Sequence, residues 1–301
     1  MILFAVNNFS LKGISLNKYV PLGNTNLMVS RHGFGAARIG EGTPRDEIQE
    51  LFNTLLELGI TFIDTADCYT NSEEIIGEFL KDRKNEFVIA TKCGCVSGKE
   101  EGVAYSPEVI RRNIDRSLRR LGVEYLDLVY LHTCSASVLR SGEAVDALLR
   151  QRDAGKVRFV GYSGDGEDAL CAIGMGVFDA LQVTFNILDQ TALSEVLPAA
   201  ERAGIGVVAK RPIANAKLLL PESPYFYQGA YWDPILSVLN EEGVWEDPLE
   251  CALRFTLSHA VVASAIIGTT NVAHVRANVA RANKGPLPLH VLKLIHELTS
   301  L

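Results

Sequence analysis

One unit recurs along this chain: an amphipathic helix, a glycine at its end, then a short β-rich run. Thr43-Pro44-Arg45-Asp46 reads as an N-cap, a proline at the first helical position and an acid in the first turn. Ile48, Leu51, Phe52 and Leu55 follow at helical spacing, Gly59 fits a left-handed stop, and Ile60 to Asp64 is the β run. Ser106-Pro107-Glu108 opens a second unit, with Ile110, Ile114, Leu118 and Leu121 on one face, Gly122 after it and Leu126 to His132 as its strand. A third ends at Gly155 and leads into Val157 to Gly161; a fourth ends at Gly204 and leads into Ile205 to Ala209. Strands that alternate with helices pair in parallel through right-handed crossovers.

Further strands fit at Phe87 to Thr91, Ala180 to Phe185, Ala263 to Ile267 and near Arg31 to Phe34, which brings the count to eight. Eight such units in 301 residues predict an α/β fold, a closed (β/α)8 TIM barrel. A doubly wound open sheet is the rival. It calls for a Gly-rich phosphate turn after its first strand, and Gly33, Gly35 and Gly40 lack the G-x-G-x-x-G spacing. Tyr19 to Val29 reads as a short hairpin around Gly23-Asn24-Thr25-Asn26, placed to plug the bottom of the barrel. Residues 1–18 carry no element signal and read as a frayed N-terminal extension, leaving 19–301 as one barrel domain. Pro288 to Leu301 reads as a padding helix with Val291, Leu294, Ile295 and Leu298 inward.

Charge and composition narrow the partners. A net charge of -7 (29 basic, 36 acidic residues) is opposed to a nucleic-acid or anionic-membrane footprint. No run approaches the roughly 18 uninterrupted apolar residues of a membrane helix. Met1 to Val6 lacks the basic flank of a signal peptide, and six scattered Cys suit reduced thiols. A cytoplasmic protein is expected. No exposed apolar helix face stands out, so the oligomeric state is left open.

Barrel chemistry sits where strands end. Here those ends carry Asp64, Lys92, His132, Ser163, Gln182 near Asn186, and Lys210-Arg211, with Tyr69 just past the second. A tyrosine titrates near 10 in isolation; a nearby ammonium favours the phenolate and is expected to lower that value. Tyr69 is then a general acid, Lys92 and Asp64 tune it, and His132 is a second donor toward the same oxygen. Nothing in the set carries electrons, so the reducing equivalents come from a cofactor.

Phe62-Ile63-Asp64-Thr65-Ala66-Asp67-Cys68-Tyr69, then Thr91-Lys92, then Leu131-His132, resembles the Asp/Tyr/Lys/His tetrad of the aldo-keto reductases. Leu22-Gly23 with Val29-Ser30 resembles their N-terminal hairpin, and Ile267-Gly268-Thr269 with Asn278 their C-terminal cofactor segment; the likeness spans about residues 19 to 284. It implies a nicotinamide dinucleotide laid across the barrel mouth. Ser163 and Gln182 would hold the carboxamide, and Thr269 and Asn278, with Gly268 before them, would lie near the adenosine end. Lys210-Arg211-Pro212 is unusual, since the family often has Ser before that Pro, and there Arg211, with Lys210 beside it in the cofactor-binding set, would meet the pyrophosphate. The chain departs from the family at Gly164, where Asn is usual, and at Thr70, where Gly is frequent. Thr270 and Asn271 replace the basic residues that normally select NADP. Arg276 is the remaining candidate for a 2'-phosphate, and on it NADP(H) is expected ahead of NAD(H).

The reading is therefore NADPH-dependent reduction of an aldehyde or ketone. Its alternatives are NAD-dependent oxidation of a sugar or alcohol, and a cofactor-sensing subunit with little turnover. The substrate is a small carbonyl or alcohol, shaped by residues 211–247, whose Tyr225, Phe226, Tyr227, Tyr231, Trp232 and Trp245 read as packing or as an apolar wall. Cys68 and Cys134 read as small filler. The Cys93/Cys95 pair lacks a second pair for zinc. A metal on Asp67, Cys68 and His132 would leave Tyr69 and Lys92 without purpose, so no metal is expected.

Overall fold

The structure, a computed structural model, describes residues 18–81, 83–98, 101–219 and 246–299. Ten strands follow in chain order: β1 (Tyr19–Pro21), β2 (Met28–Ser30), β3 (His32–Gly35), β4 (Phe62–Asp64), β5 (Val88–Cys93), β6 (Leu126–His132), β7 (Val157–Ser163), β8 (Ala180–Thr184), β9 (Gly206–Lys210) and β10 (Val262–Ile267). The first two form an antiparallel hairpin. The other eight close into a parallel barrel in chain order, with β10 pairing β3. The predicted strands are all present, and each barrel strand lies within a few residues of its expected bounds.

The first helices are α1 (Arg45–Glu57), α2 (Ser72–Phe79) and α3 (Pro107–Leu121), and local chemistry sets their ends. Ser106 caps α3 (Pro107–Leu121) by accepting from Val109 N, and Gly122 closes it in the left-handed region. Gly59, Gly155 and Gly204 hold the same positive φ after their helices. At α1 (Arg45–Glu57) the expectation shifts by one residue: Pro44 is the cap and brings no side-chain bond, so Thr43 does not serve. In the terminal helix Leu289–Thr299, Val291, Leu292 and Ile295 are buried; Leu294, expected inward, is only partly so, because the contacting stripe runs through Leu292. Leu298, residues 1–17 and the aromatic stretch from Tyr225 to Trp245 lie outside the described side chains.

The hairpin seals the N-terminal end of the barrel. Leu22, Leu27 and Val29 are buried against the barrel-lining Phe62, Ala90, Leu128, Tyr130, Ala180 and Val208. Asn24 N donates to the Gly204 carbonyl at 2.9 Å, and Ser264 Oγ donates to the Ser30 carbonyl at 2.8 Å. Gly206 is bare because Leu22 occupies the space: a Cβ there would fall 2.6 Å from Leu22 Cγ and 2.7 Å from its carbonyl carbon. Backbone cannot yield as a side chain does. Gly206→Ala should therefore cost about 1–3 kcal/mol of stability through overpacking, read as a lowered midpoint in urea denaturation. A midpoint equal to wild type would mean the plug is loosely seated.

Candidate active site

The barrel brings the strand-end residues into one buried cluster at its C-terminal mouth. Asp64 closes β4, Lys92 lies near the end of β5 and His132 closes β6. Lys92 Nζ donates to Asp64 Oδ1 at 2.6 Å and to the Thr65 carbonyl at 2.8 Å. Both charged groups are almost wholly shielded from solvent. Gln182 Nε2, on the opposite wall, donates to Asp64 Oδ2 at 2.7 Å, and Ser163 Oγ donates to Gln182 Oε1 at 3.1 Å. One hydrogen-bonded line thus runs from β7 through β8 and β4 to β5. The sequence pattern assigned Ser163 and Gln182 to a ligand alone and gave no sign of the Gln182–Asp64 bond.

Tyr69 leaves the end of β4 on a short turn and lies half-buried over this line. Lys92 Nζ is 5.0 Å from its ring centre. The His132 ring stands edge-on to Tyr69, with centres 6.0 Å apart. Here the expected lowering of the tyrosine is corrected. Burial raises the Tyr69 phenol, Lys92 opposes that, Asp64 adds to it, and the net direction is up. Burial also pulls the Lys92 ammonium down, but Asp64 and the phenol outweigh it and hold it above its usual range. Tyr69 is therefore a neutral phenol beside a charged ammonium.

Supporting groups fix the Thr65 to Tyr69 turn. Asp67, buried, is paired with Arg116 and Arg120 of α3. It therefore faces the helix and is unavailable to His132. Glu73, also buried, accepts from Thr91 Oγ1 at 2.7 Å and meets Arg120 at 3.4 Å. Asn113, Arg116, Ser117 and Arg120 form a polar stripe beside the apolar stripe of α3, and Asn113 Oδ1 accepts from Gly94 N at 2.9 Å. That stripe, at spacings of three and four, is the sequence signal that could have revealed this support. His132 is pinned from behind: Tyr105 Oη donates to its carbonyl at 2.7 Å, and Thr133 turns the chain away at a left-handed φ of 63°. Two thiols flank its ring, Cys68 Sγ and Cys95 Sγ, each 3.4 Å from Nδ1. The Cys95 contact, opposed by burial and aided by His132 and Lys92, pushes the Cys68 thiol down to about 4.

The remaining predicted residues are spread around the mouth. Gly164 has no room for a side chain, since a Cβ would fall 2.3 Å from Tyr162 Oη, which itself donates to the Cys134 carbonyl. Lys210 Nζ is paired with Asp165 at 3.0 Å, and Arg211 donates to Thr184 Oγ1 at 2.9 Å from a left-handed backbone. Gly268 lies against Gly35, where a Cβ would fall 2.6 Å from the carbonyl oxygen. Thr269 Oγ1 accepts from Asn271 N at 3.1 Å, and buried Asn278 accepts from Arg281 at 2.9 Å. Arg276 is exposed and bonded to Glu57 at 3.1 Å. Asn186 Nδ2, past the end of β8, is buried with no hydrogen-bond partner among the described residues. A cavity of about 780 Å³ lined by Thr61, Val88, Asp127 and Arg158 opens at the other end of the barrel and touches none of these groups.

A parallel barrel whose mouth holds a shielded Lys–Asp pair under a neutral phenol is a candidate proton-transfer site. The Aldo/keto reductase family profile matches residues 33–300. The L-galactose dehydrogenase of Arabidopsis thaliana is 30% identical, over 86% of this chain and 86% of that protein. The NADH-specific methylglyoxal reductase of Escherichia coli (strain K12) is 30% identical, over 88% of this chain and 94% of its own. A solved aldo-keto reductase of Bacillus halodurans, in its holo form, superposes with a TM-score of 0.81 at 28% identity, covering 94% of this chain and 96% of its own. The chain belongs to the aldo/keto reductase family and is an oxidoreductase.

Removing half of a buried ion pair leaves the other charge uncompensated. Asp64→Asn should destabilise the fold by about 3–5 kcal/mol, measured by urea denaturation at neutral pH. A loss under about 1 kcal/mol, the range of exposed pairs, would show that Lys92 is sustained by the Thr65 carbonyl alone.

Proposed function

We propose that this protein reduces the carbonyl of a small aldehyde or ketone to an alcohol, with Tyr69 as the proton donor. The observation that carries the reading is the upward-shifted phenol beside Lys92. A phenol held above its ordinary value stays protonated through the neutral range, which suits donation to a developing alkoxide. The opposite flux, oxidation of an alcohol, needs the phenolate and is disfavoured at neutral pH by the same shift. When bound, the reduced nicotinamide dinucleotide supplies the hydride.

The residues at the mouth fit such a group. Asn186 Nδ2 is a buried donor without an acceptor among the described residues, and Gly268 is exposed at the mouth with only backbone to offer, its side-chain position being filled by the Gly35 carbonyl. Ser163 and Gln182 would hold the carboxamide, Lys210 and Arg211 the pyrophosphate, and Thr269 and Asn278 the adenosine end. Gly164 contributes no side chain, so a carboxamide contact usual in the family is missing. Lys92, anchored by Asp64, keeps the Tyr69 hydroxyl aimed at the reacting oxygen; His132 orients the carbonyl from the other side.

The cofactor is NAD(H) in this reading, ahead of the NADP(H) that Arg276 suggested in the sequence. Arg276 is engaged by Glu57, whose carboxylate would repel a 2'-phosphate. Thr270 adds no positive charge, and the Escherichia coli relative is named as NADH-specific.

Tyr69→Phe should lower reductive kcat by about 10²–10⁴-fold while the NADH dissociation constant, read by fluorescence quenching, stays within a few-fold. Wild-type turnover in that variant would remove Tyr69 as the acid. Because the phenol is shifted up, reductive kcat should stay level across the neutral range and fall only at or beyond the ordinary tyrosine value of about 10. A decline near neutrality would assign the proton to another group. Arg276→Ala should leave NADH binding unchanged; a selective loss of NADPH binding would instead restore Arg276 as a 2'-phosphate clamp.

A further inference from the structure

The structure assigns a soft-metal site to the rim of the mouth: we propose that Cys68, Cys95 and His132 bind one zinc-class divalent cation, which reversibly shuts off turnover. The three side chains come from three successive strand-end segments, after β4, after β5 and at the end of β6. Their ligand atoms all lie within 4.8 Å of one another, and both sulfur atoms are 3.4 Å from His132 Nδ1. Zinc takes sulfur at about 2.3 Å and nitrogen at about 2.0 Å in a tetrahedron. From those lengths, donors on one ion stand about 3.3–3.8 Å apart, so the observed sulfur–nitrogen separations already match. A shift of the two thiols well under 2 Å completes the set.

The donor types select the metal. Two thiols and an imidazole favour zinc or cadmium over magnesium or calcium, which take oxygen. The backbone behind the donors is held: Tyr105 bonds the His132 carbonyl, and the turn carrying Cys68 is tied to α3 through Asp67. All three donors are half-buried, so an ion can enter from the mouth. Three protein ligands leave a fourth position for water. An ion there fixes the His132 ring, which stands edge-on to Tyr69, and so immobilises the group proposed to orient the carbonyl. Metal binding needs only the three side chains; the loss of turnover rests on the roles proposed above for His132 and Tyr69. The two parts are therefore tested separately.

The full-length, freshly reduced protein is titrated with Cd2+ and followed by the thiolate-to-cadmium ultraviolet band. Saturation is expected at one equivalent. Cys68→Ser and Cys95→Ser should each weaken binding by at least about tenfold, the scale set by losing even a supporting group around a metal, while Cys251→Ser leaves it unchanged. On wild-type protein, Zn2+ should shield Cys68 and Cys95, but not Cys171, from iodoacetamide, as mapped by peptide mass spectrometry. This second measurement stands even if a serine variant misfolds. Absence of the band, a band insensitive to both serine variants, or alkylation of Cys68 and Cys95 unaffected by Zn2+ overturns the site. Zn2+ should also suppress wild-type turnover, with recovery on adding a chelator; binding and shielding with undiminished turnover overturn the inhibition and leave the site standing.

Discussion

The buried pair of Lys92 and Asp64 is the constraint around which the mouth of this barrel is arranged. Two charges withdrawn from water are costly unless each finds close partners. Close partners are supplied accordingly: the Thr65 carbonyl accepts from Lys92, and Gln182 donates to the second oxygen of Asp64. The same shielding that makes the pair expensive also raises the Tyr69 phenol, while Asp64 keeps the Lys92 ammonium charged against it, so a neutral phenol stands beside a fixed positive charge.

Around that pair the structure divides its labour between two ends. The hairpin and Leu22 fill the N-terminal end with apolar side chains, while the C-terminal end keeps polar groups facing inward. A second polar layer, Asp67 and Glu73 with Arg116 and Arg120, stands behind the catalytic candidates and holds the turn that carries Cys68 and Tyr69. The acids in that layer are buried, so their arginine partners decide whether the turn can persist.

Much of this was legible in the residues alone. Periodicity switching from 3.6 to 2, with glycine stops, located all eight barrel strands and the hairpin because each signal is local. The candidate tetrad was legible because each member lies at or near a strand end. Three things were hidden. The direction of the Tyr69 shift depends on how deeply it is buried, a tertiary quantity that a nearby lysine cannot reveal. The Gln182–Asp64 bond joins residues far apart in the chain. The engagement of Arg276 with Glu57 is decided by how the helix at Val272–Asn283 packs on α1, which spacing within one helix cannot show.

β4 and β8 stand directly across the ring from one another. The bond from Gln182 to Asp64 is therefore a crossbar spanning the barrel's bore rather than a contact between neighbours. Such a crossbar can exist only while all eight strands keep their register, because slippage at any seam changes the width it must span. The buried pair is thereby assembled by closure of the whole ring, and a partly opened barrel, however much helix it retained, would carry these residues without their arrangement.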